Sequence, residues 1–249
     1  MSVFINTWVF ENDVKMGKSQ VDLLSRVADL GADGIEVRRE YFKQPDKEIE
    51  KIGELAKKYN LEVNYSIPDE VFLPDGTVNP MLAKYFEEAQ IMGIKKIKFN
   101  TGNFAKFNGD LKQEFSKLPL NTVKMNVEND QTEISGNINA IKKFLTETRE
   151  LGLNSIGYVY DLGNWAFTHQ DALLAASELY PYADYIHLKN TLDENGRLIT
   201  SDDLNAGIYD WRDIIHNLPT NVDYALEFPM DSDEKIVEQI KLLKNEVGD

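Results

Sequence analysis

The chain has 249 residues, 42% of them hydrophobic, and 42 acidic against 27 basic residues give it a formal charge of -15. Such a charge disfavours binding to the phosphate backbone of a nucleic acid, which depends on Lys and Arg displacing counterions, and binding to an anionic membrane surface. The chain has no cysteine, which excludes disulfides, thiolate metal sites and cysteine nucleophiles together.

The beginning of the chain predicts a strand. The stretch MSVFINTWVFENDVK lacks the basic start, the long apolar segment and the small-residue cleavage site of a targeting segment.

No run approaches the ~18 apolar residues needed to span a bilayer. We therefore expect a soluble cytoplasmic protein that binds neither nucleic acid nor membrane. The sequence leaves the oligomeric state open, a homo-oligomer included.

Short apolar runs alternate with longer amphipathic runs along the whole chain. Several of the short runs are β-branched and nearly continuous in apolar character, which is typical of strands covered on both faces. Strands are predicted at residues 3–8, 34–37, 61–66, 95–100, 122–127, 155–160, 184–188 and 222–227. Helices are predicted at residues 19–30, 47–59, 80–92, 137–151, 169–180 and 234–245, with shorter ones at 111–117 and 211–217.

The ends of the helices are marked by cap residues. Ser19 followed by Asp22 resembles an N-terminal cap with an acidic third position. Gly31, Gly93 and Gly152 end three helices shortly before a strand, where a left-handed residue is favoured. Eight such units in 249 residues favour a single-domain (β/α)8 TIM barrel over residues 1–249. An open doubly wound sheet is disfavoured because the loop WVFENDVKMG after the first strand lacks a glycine-rich phosphate motif.

Four titratable residues stand at or next to the ends of the last four predicted strands. They are Glu128, Asp161, His187 and Glu227, spaced 33, 26 and 40 residues apart in VKMNVE, IGYVYD, ADYIHL and VDYALE. In a parallel barrel these strand ends meet at the active-site mouth. Three carboxylates packed together require a cation, so the pattern predicts a divalent metal. Each residue alone is also explained as a loop acid, an ion-pair partner or a buried histidine, and only their joint placement favours a metal.

Further side chains are expected around the same mouth. Candidates for contact with a substrate are Trp8, Glu36, Arg38, Lys98 and Lys189. The two lysines could bind hydroxyls or a phosphate, or pair with neighbouring acids. Aromatic residues expected near the mouth, where packing alone explains most of them, are Phe72, Phe99, Phe104 and Trp165. His169 and His216 are expected at the surface, and the stretch DENGR at the tip of the loop after the seventh strand.

Several motifs resemble those of the xylose-isomerase-like TIM barrel superfamily. GADGIEVRREYF, VEND, YDLGN, YIHLKN and YALEFP are similar to its second, fifth, sixth, seventh and eighth strand motifs, and LNAGIYDWRDII to the stretch leading into its seventh helix. The resemblance covers essentially the whole chain. The superfamily includes sugar epimerases, hydroxypyruvate isomerases, inosose dehydratases and the endonuclease IV group, also called the AP endonuclease family 2 type.

The resemblance implies one metal ion held by Glu128, Asp161, His187 and Glu227. It further implies that Glu128 and Glu227, on opposite sides of a bound sugar, exchange the proton. Two Glu, one Asp and one His form an oxygen-rich ligand set that suits Mn²⁺, Mg²⁺ or Co²⁺, with Zn²⁺ also compatible.

The chain departs from the superfamily pattern where further histidines are expected. Members with several zinc ions carry histidines on the third and fourth strands and three residues after the sixth-strand Asp. Here those places hold SIP (66–68), FNTG (99–102) and Asn164. Three histidines in the chain cannot supply a three-zinc nuclease site, which makes DNA repair the poorer interpretation. Asn164 also replaces a histidine that contacts substrate in several epimerases, and it is a further substrate-binding candidate.

The implied function is a metal-dependent isomerase or epimerase of a small sugar or sugar-like ketose, which moves a proton through an enediolate. Returning the proton to the neighbouring carbon gives isomerisation, and returning it to the opposite face gives epimerisation. The sequence does not choose between them. A dehydratase or lyase acting on a related polyol is the runner-up, and a barrel that binds a sugar without turnover is a third interpretation.

Overall fold

A computed structural model describes residues 1–248. Its strands are β1 (Val3–Asn6), β2 (Gly34–Arg38), β3 (Glu62–Phe72), β4 (Lys96–Gly102), β5 (Lys124–Glu128), β6 (Ile156–Asp161), β7 (Ala183–Leu188), β8 (Thr191–Glu194), β9 (Arg197–Thr200) and β10 (Asp223–Leu226). Its helices are α1 (Glu11–Lys15), α2 (Gln20–Asp29), α3 (Pro45–Tyr59), α4 (Leu82–Met92), α5 (Leu111–Phe115), α6 (Ile138–Glu150), α7 (Asn164–Phe167), α8 (Ala172–Leu179), α9 (Trp211–Ile215) and α10 (Asp233–Val247). Short 3-10 helices lie at Thr7–Phe10, Arg39–Tyr41 and Phe104–Lys106.

Eight of these strands close into one barrel, in the order β1-β10-β7-β6-β5-β4-β3-β2. Neighbouring strands are parallel, so that Asn100 of β4 lies opposite Glu128 of β5 and Asp161 of β6 lies opposite His187 of β7. Parallel neighbours require crossover connections, and the helices between the strands provide them. The predicted (β/α)8 barrel is confirmed, and the carboxyl ends of its strands form one mouth.

The main apolar core lies between the strands and the surrounding helices. Helix α2 is typical: it starts at the predicted capping box of Ser19 and Asp22 and buries Leu23, Leu24 and Val27 against the sheet. Amphipathic helices of this kind gain most of their stability from burying their apolar face. None of the helices in residues 1–248 is long and apolar enough to cross a membrane.

A second, small apolar cluster fills the inside of the barrel. It consists of Phe4, Val159, Tyr185 and Ala225. Side chains alternate across a strand, so a residue two positions further on points to the same side. Two positions beyond these four residues stand Asn6, Asp161, His187 and Glu227. The alternation therefore directs these polar residues to the interior, at the carboxyl end of the barrel. Gly34 leaves room for this cluster, because a Cβ there would lie 2.3 Å from the Phe4 ring.

The third strand differs most from its predicted bounds, and the first strand ends earlier than predicted. β1 ends at Asn6, whose side chain accepts a hydrogen bond from the backbone N–H of Trp8 and thereby starts a 3-10 helix. β3 continues to Phe72, well past its predicted end at Ser66, with a register shift just beyond that residue. Pro68 lies in the shifted part, and since proline cannot donate to a ladder it normally marks the end of a strand.

The segments after β6 and β7 differ from their prediction. The segment after β7 forms the antiparallel hairpin β8–β9, which turns at Asn195 and Gly196 with φ values of 57° and 87°. Asn-Gly is a favoured pair in two-residue hairpin turns because both positions need positive φ. The helix predicted to begin at His169 begins instead after Asp171, whose side chain accepts from the backbone N–H of Leu174.

Candidate active site

The four candidate metal ligands lie together at the mouth of the barrel. Glu128 and Asp161 end β5 and β6, His187 lies near the end of β7, and Glu227 directly follows β10. One potential ligand atom from each lies within 4.8 Å of the others, and all four residues are buried. The structure thus brings together the residues that the sequence singled out. Their role as metal ligands stays a prediction.

His187 lies at the centre of this cluster and is 0% exposed. Its Nδ1 is 2.7 Å from Glu128 Oε1 and 3.2 Å from Glu227 Oε2. Its Nε2 is 3.1 Å from Glu36 Oε2. Burial lowers the pKa of His187, but the three carboxylates outweigh burial and raise that pKa well above its usual value. One imidazole ring is therefore shared by three carboxylates from three different strands or strand ends.

Two buried lysines pair with the same carboxylates. Lys98 Nζ lies 2.6 Å from Glu128 Oε2. Lys189 Nζ lies 2.5 Å from Asp161 Oδ2 and 2.9 Å from Glu227 Oε2. The positive charge that three adjacent carboxylates require is therefore supplied in part by the chain itself, in addition to any bound ion.

Burial and the neighbouring cations shift the carboxyl pKa values in opposite directions. Burial raises the pKa of Asp161 to about 7, against the lowering effect of Lys189. Burial also acts to raise the pKa of Glu227, but Lys189 and His187 reverse this effect and hold it well below its usual value. The pKa of Glu128 is lowered too, because Lys98 and His187 outweigh the raising effect of burial. Both glutamates are consequently ionised at neutral pH, whereas Asp161 lies near its midpoint.

Side chains from β1 and β2 fix Glu227 and Glu36. Asn6 Nδ2 donates to Glu36 Oε1 at 2.5 Å and to Glu227 Oε1 at 3.0 Å. Arg38 Nη1 also donates to Glu227 Oε1, at 2.9 Å. Glu36 is fully buried and contacts the far nitrogen of His187. Glu36 was expected to contact substrate, but these contacts place it behind the imidazole as a support.

A polar pocket of about 220 Å³ opens over the cluster. Five of the six candidates for substrate contact line it, namely Trp8, Arg38, Lys98, Asn164 and Lys189, together with Glu128 and Glu227. The remaining wall consists of Pro68, Asn100, Asp130 and Gln131. The sequence reasoning missed Asp130 and Gln131, although they directly follow the VEN of the fifth-strand motif.

Of the aromatic residues expected near the mouth, Trp8 lines this pocket. The others belong to the main core, where Phe72 packs against Phe104 at 5.0 Å and Phe99 stacks near Phe86 at 6.3 Å between ring centroids. Packing in the core therefore explains these four aromatic residues, as was expected for most of them. His169 and His216 are exposed, as expected.

Asn164 and Asn129 hold the end of β6 in place. Asn164 donates from Nδ2 to the backbone oxygen of Asn129 at 2.8 Å and accepts from Gln131 Nε2 at 3.1 Å. Its backbone N–H donates to Asp161 Oδ1 at 3.1 Å. Asn129, which the sequence reasoning missed, bonds both the N–H and the carbonyl of Asp161. Its only signal was its place directly after Glu128. Asn164 therefore contributes to the pocket wall while its amide is already engaged.

The donor set fits a divalent cation. Three carboxylates and one imidazole are compatible with Mg²⁺, Mn²⁺, Co²⁺ or Zn²⁺. Glu128 Oε1 is buried, and its close polar neighbour within residues 1–248 is His187 Nδ1 at 2.7 Å, which is itself a potential ligand atom. Lys189 must shift for Asp161 and Glu227 to bind the same ion, because its Nζ contacts both carboxylates. With that adjustment the residues can hold one metal ion.

No protein-family model matches the sequence, and no curated protein matches it. Solved structures match over nearly the whole chain. The chain is similar to the probable 3-DHS dehydratase AsbF of Bacillus anthracis, with 16% identity, a TM-score of 0.69 and coverage of 98% of this chain and 99% of that one. It is similar to a D-allulose 3-epimerase from Methylomonas sp. in complex with D-allulose, with 12% identity, a TM-score of 0.71 and coverage of 99% and 97%. It is also similar to the IOLI protein with a binding zinc atom, with 13% identity, a TM-score of 0.69 and coverage of 100% and 98%.

At these identities the likeness concerns the fold. It extends from one end of the chain to the other, as the resemblance of the strand motifs predicted. The chain has the TIM barrel fold of these solved structures.

Proposed function

We propose that the protein is a divalent-metal-dependent isomerase or epimerase of a small sugar or sugar-like ketose. The proposal rests on one observation: two glutamates, an aspartate and a histidine present ligand atoms within 4.8 Å of one another in a buried cluster below a pocket. Similarity in fold to a D-allulose 3-epimerase and an L-ribulose 3-epimerase supports it. The donor set favours Mn²⁺, Mg²⁺ or Co²⁺, and Zn²⁺ is compatible.

Glu128 and Glu227 are the proposed acid–base pair. A bound divalent ion supplies polarisation of a substrate carbonyl, which makes the neighbouring C–H more acidic. Both glutamates line the pocket and both have lowered pKa values, so either can accept a proton at neutral pH. One removes the proton, and the same or the other glutamate returns it to the neighbouring carbon or to the opposite face.

Trp8 is proposed to position the substrate. Its ring lies close to two cations, with the Arg38 guanidinium carbon 5.8 Å and Lys189 Nζ 5.5 Å from ring centroids. Such cation–π contacts hold the indole as a fixed apolar wall beside polar groups. A pocket of about 220 Å³ suits a small molecule, and its polar walls suit hydroxyl groups.

A dehydratase acting on a related polyol is the second candidate. Its first step would be the same proton removal, and its second would require an acid that protonates the leaving hydroxyl. The glutamate that took up the proton is such an acid, and Lys98 and Lys189, which line the pocket beside the glutamates, can donate hydrogen bonds to the leaving hydroxyl. Similarity in fold to the probable dehydratase AsbF supports this candidate.

The test combines metal binding with exchange of substrate hydrogens. Calorimetric titration with Mn²⁺ is followed by incubation with ketoses and polyols in D₂O, and NMR detects deuterium next to the carbonyl. We expect Mn²⁺ binding and deuterium incorporation into a ketose. A product that has lost water, together with unreacted substrate that contains no deuterium, would favour the dehydratase.

Glu227→Gln should strongly reduce exchange and leave the fold intact, since the amide keeps the shape of the side chain but cannot accept the proton. The expected loss is about 10²–10⁴-fold, the usual contribution of general acid–base catalysis. Glu178→Gln, in a half-exposed ion pair on the outer helix α8, is the matched control and should retain activity. Full activity in Glu227→Gln, with its fold verified by circular dichroism, would refute the mechanism.

A further inference from the structure

Three cationic side chains converge on the pocket of a chain whose formal charge is -15. The side chains of Lys98, Lys189 and Arg38 are 7%, 6% and 19% exposed. Each is paired with a carboxylate of the proposed metal site: Lys98 with Glu128, and the other two with Glu227. A buried charge is costly unless it is paired, so each of these cations requires a neighbouring anion both with and without a bound metal ion.

A divalent ion bound by the same carboxylates competes with these cations. Lys189 Nζ lies within 2.9 Å of both Asp161 and Glu227, so the charge repulsion of an ion between these carboxylates would displace it. Lys189 Nζ already lies 5.5 Å from a ring centroid of Trp8, which lines the pocket, so the ammonium can keep this cation–π contact when it leaves the carboxylates. The ion also weakens the pair of Lys98 with Glu128. Metal binding therefore leaves positive charge directed at the pocket.

We propose that this charge binds a carboxylate of the substrate, and that the metal and the acid bind cooperatively. The inference rests on the proposed metal site and narrows its substrate to a small sugar-like ketose that carries a carboxylate. The lysines act as point charges toward such a carboxylate. Coupling of this kind is reciprocal, so the metal must strengthen binding of the acid by the same factor as the acid strengthens binding of the metal.

Two further acids at the rim of the pocket affect which cation is left without a partner. Glu40 pairs with Arg38 Nε at 2.6 Å, and Asp130 accepts from the N–H and hydroxyl of Thr132 at 2.7 Å and 2.6 Å. Arg38 is therefore held by Glu40 as well as by Glu227, whereas both carboxylates that contact Lys189 belong to the proposed metal site. The displaced Lys189 is the cation that a substrate carboxylate would pair with.

Calorimetry of the full chain with matched probes tests the proposal. Glycerate and glycerol share a carbon skeleton and differ in the carboxylate, and inorganic phosphate tests whether the site prefers another anion. With Mn²⁺ bound, we expect glycerate to bind at least about tenfold tighter than glycerol, a difference of roughly 1.4 kcal/mol. Without Mn²⁺, the two probes should bind alike, because the lysines are then held by the carboxylates of the protein.

Variants separate binding to the lysines from chelation by the metal. Lys98→Met and Lys189→Met should each bind Mn²⁺ and lose most of the preference for glycerate. Lys112→Met removes the same charge from an exposed position on α5 and should keep the preference. If both Lys98→Met and Lys189→Met keep the preference for glycerate over glycerol, the carboxylate is bound by the metal alone. That result would overturn the proposal. Should Lys189→Met fail to fold, Lys98→Met and the comparison of wild-type protein with and without Mn²⁺ decide the question.

The outcomes distinguish a failure of the proposed metal-dependent function from a failure of the proposed carboxylate site. Failure of the wild-type protein to bind Mn²⁺ would refute the proposed metal-dependent function, and the acid site with it. Mn²⁺ binding with equal affinity for glycerate and glycerol would refute the acid site alone. Tighter binding of phosphate than of glycerate would refute the assignment to a carboxylate.

Discussion

Lys189→Met tests whether the chain supplies its own counter-ion to the carboxylate cluster. Lys189 Nζ contacts Asp161 at 2.5 Å and Glu227 at 2.9 Å, and its side chain is 6% exposed. Removing one partner of a buried ion pair costs about 3–5 kcal/mol, because the other charge stays buried without compensation. We expect the lower end, about 3 kcal/mol, for two reasons. Glu227 keeps its bond from Arg38, and Asp161, with a pKa raised by burial to about 7, can take up a proton.

Thermal denaturation of EDTA-treated protein measures this loss. In a chain of this length 1 kcal/mol shifts Tm by about 2–4 °C, so the expected decrease is roughly 6–12 °C. Added Mn²⁺ should raise the Tm of the variant more than that of the wild type, because no lysine competes for the carboxylates. Lys142→Met, which removes a lysine from a half-exposed pair with Glu178, is the control and should melt like the wild type. A Lys189→Met protein that melts like this control would refute the reasoning.

Two further predictions concern metal affinity. Glu36→Gln should weaken Mn²⁺ binding, because Glu36 Oε2 lies 3.1 Å from His187 Nε2. Losing a carboxylate that hydrogen-bonds a metal-binding histidine usually weakens the affinity for the metal by about 10–100-fold. An unchanged affinity in calorimetric titration would contradict this prediction. Mn²⁺ should bind more tightly as pH rises through about 7 and should release protons, because His187 has a raised pKa and Asp161 a pKa of about 7, and both must lose their protons to act as ligands. Titrations in buffers of different ionisation enthalpy count these protons, and identical heats in all buffers would argue against the prediction.

The barrel could be predicted because each strand–helix unit carries its own local signals. Gly31, Gly93 and Gly152, which were expected to end helices, adopt φ values of 83°, 73° and 77°. The capping box of Ser19 and Asp22 forms as its spacing predicts. These signals act within a few residues of chain, so they do not depend on how the barrel closes. The hairpin at Asn195 and Gly196 carried an equally local signal, which the interpretation of this segment as a loop overlooked.

The partners of the candidate ligand residues could not be predicted, because these contacts form only when distant parts of the chain meet. Glu36 and His187 are 151 residues apart, and only closure of the barrel brings Glu36 Oε2 to the imidazole. Lys189 was expected either to bind substrate or to pair with acids. It reaches two carboxylates across the mouth, one 28 and one 38 residues away. The sequence indicated which side chains face the mouth through their alternation along the strands, but not which of them neutralise one another.

Asp161 shows why the lysine, and not the carboxylate, must move when the site accepts an ion. Its backbone is held by Asn129 through both the N–H and the carbonyl, and its Oδ1 accepts from the backbone N–H of Asn164. Lys189, in contrast, carries its charge at the end of a flexible four-carbon chain. The carboxylate therefore stays where a metal would need it, while the ammonium can turn toward Trp8 and the pocket. A rigid set of ligands with a mobile counter-ion would couple metal binding to binding of a negatively charged substrate, and a neutral sugar would leave the displaced lysine without a partner.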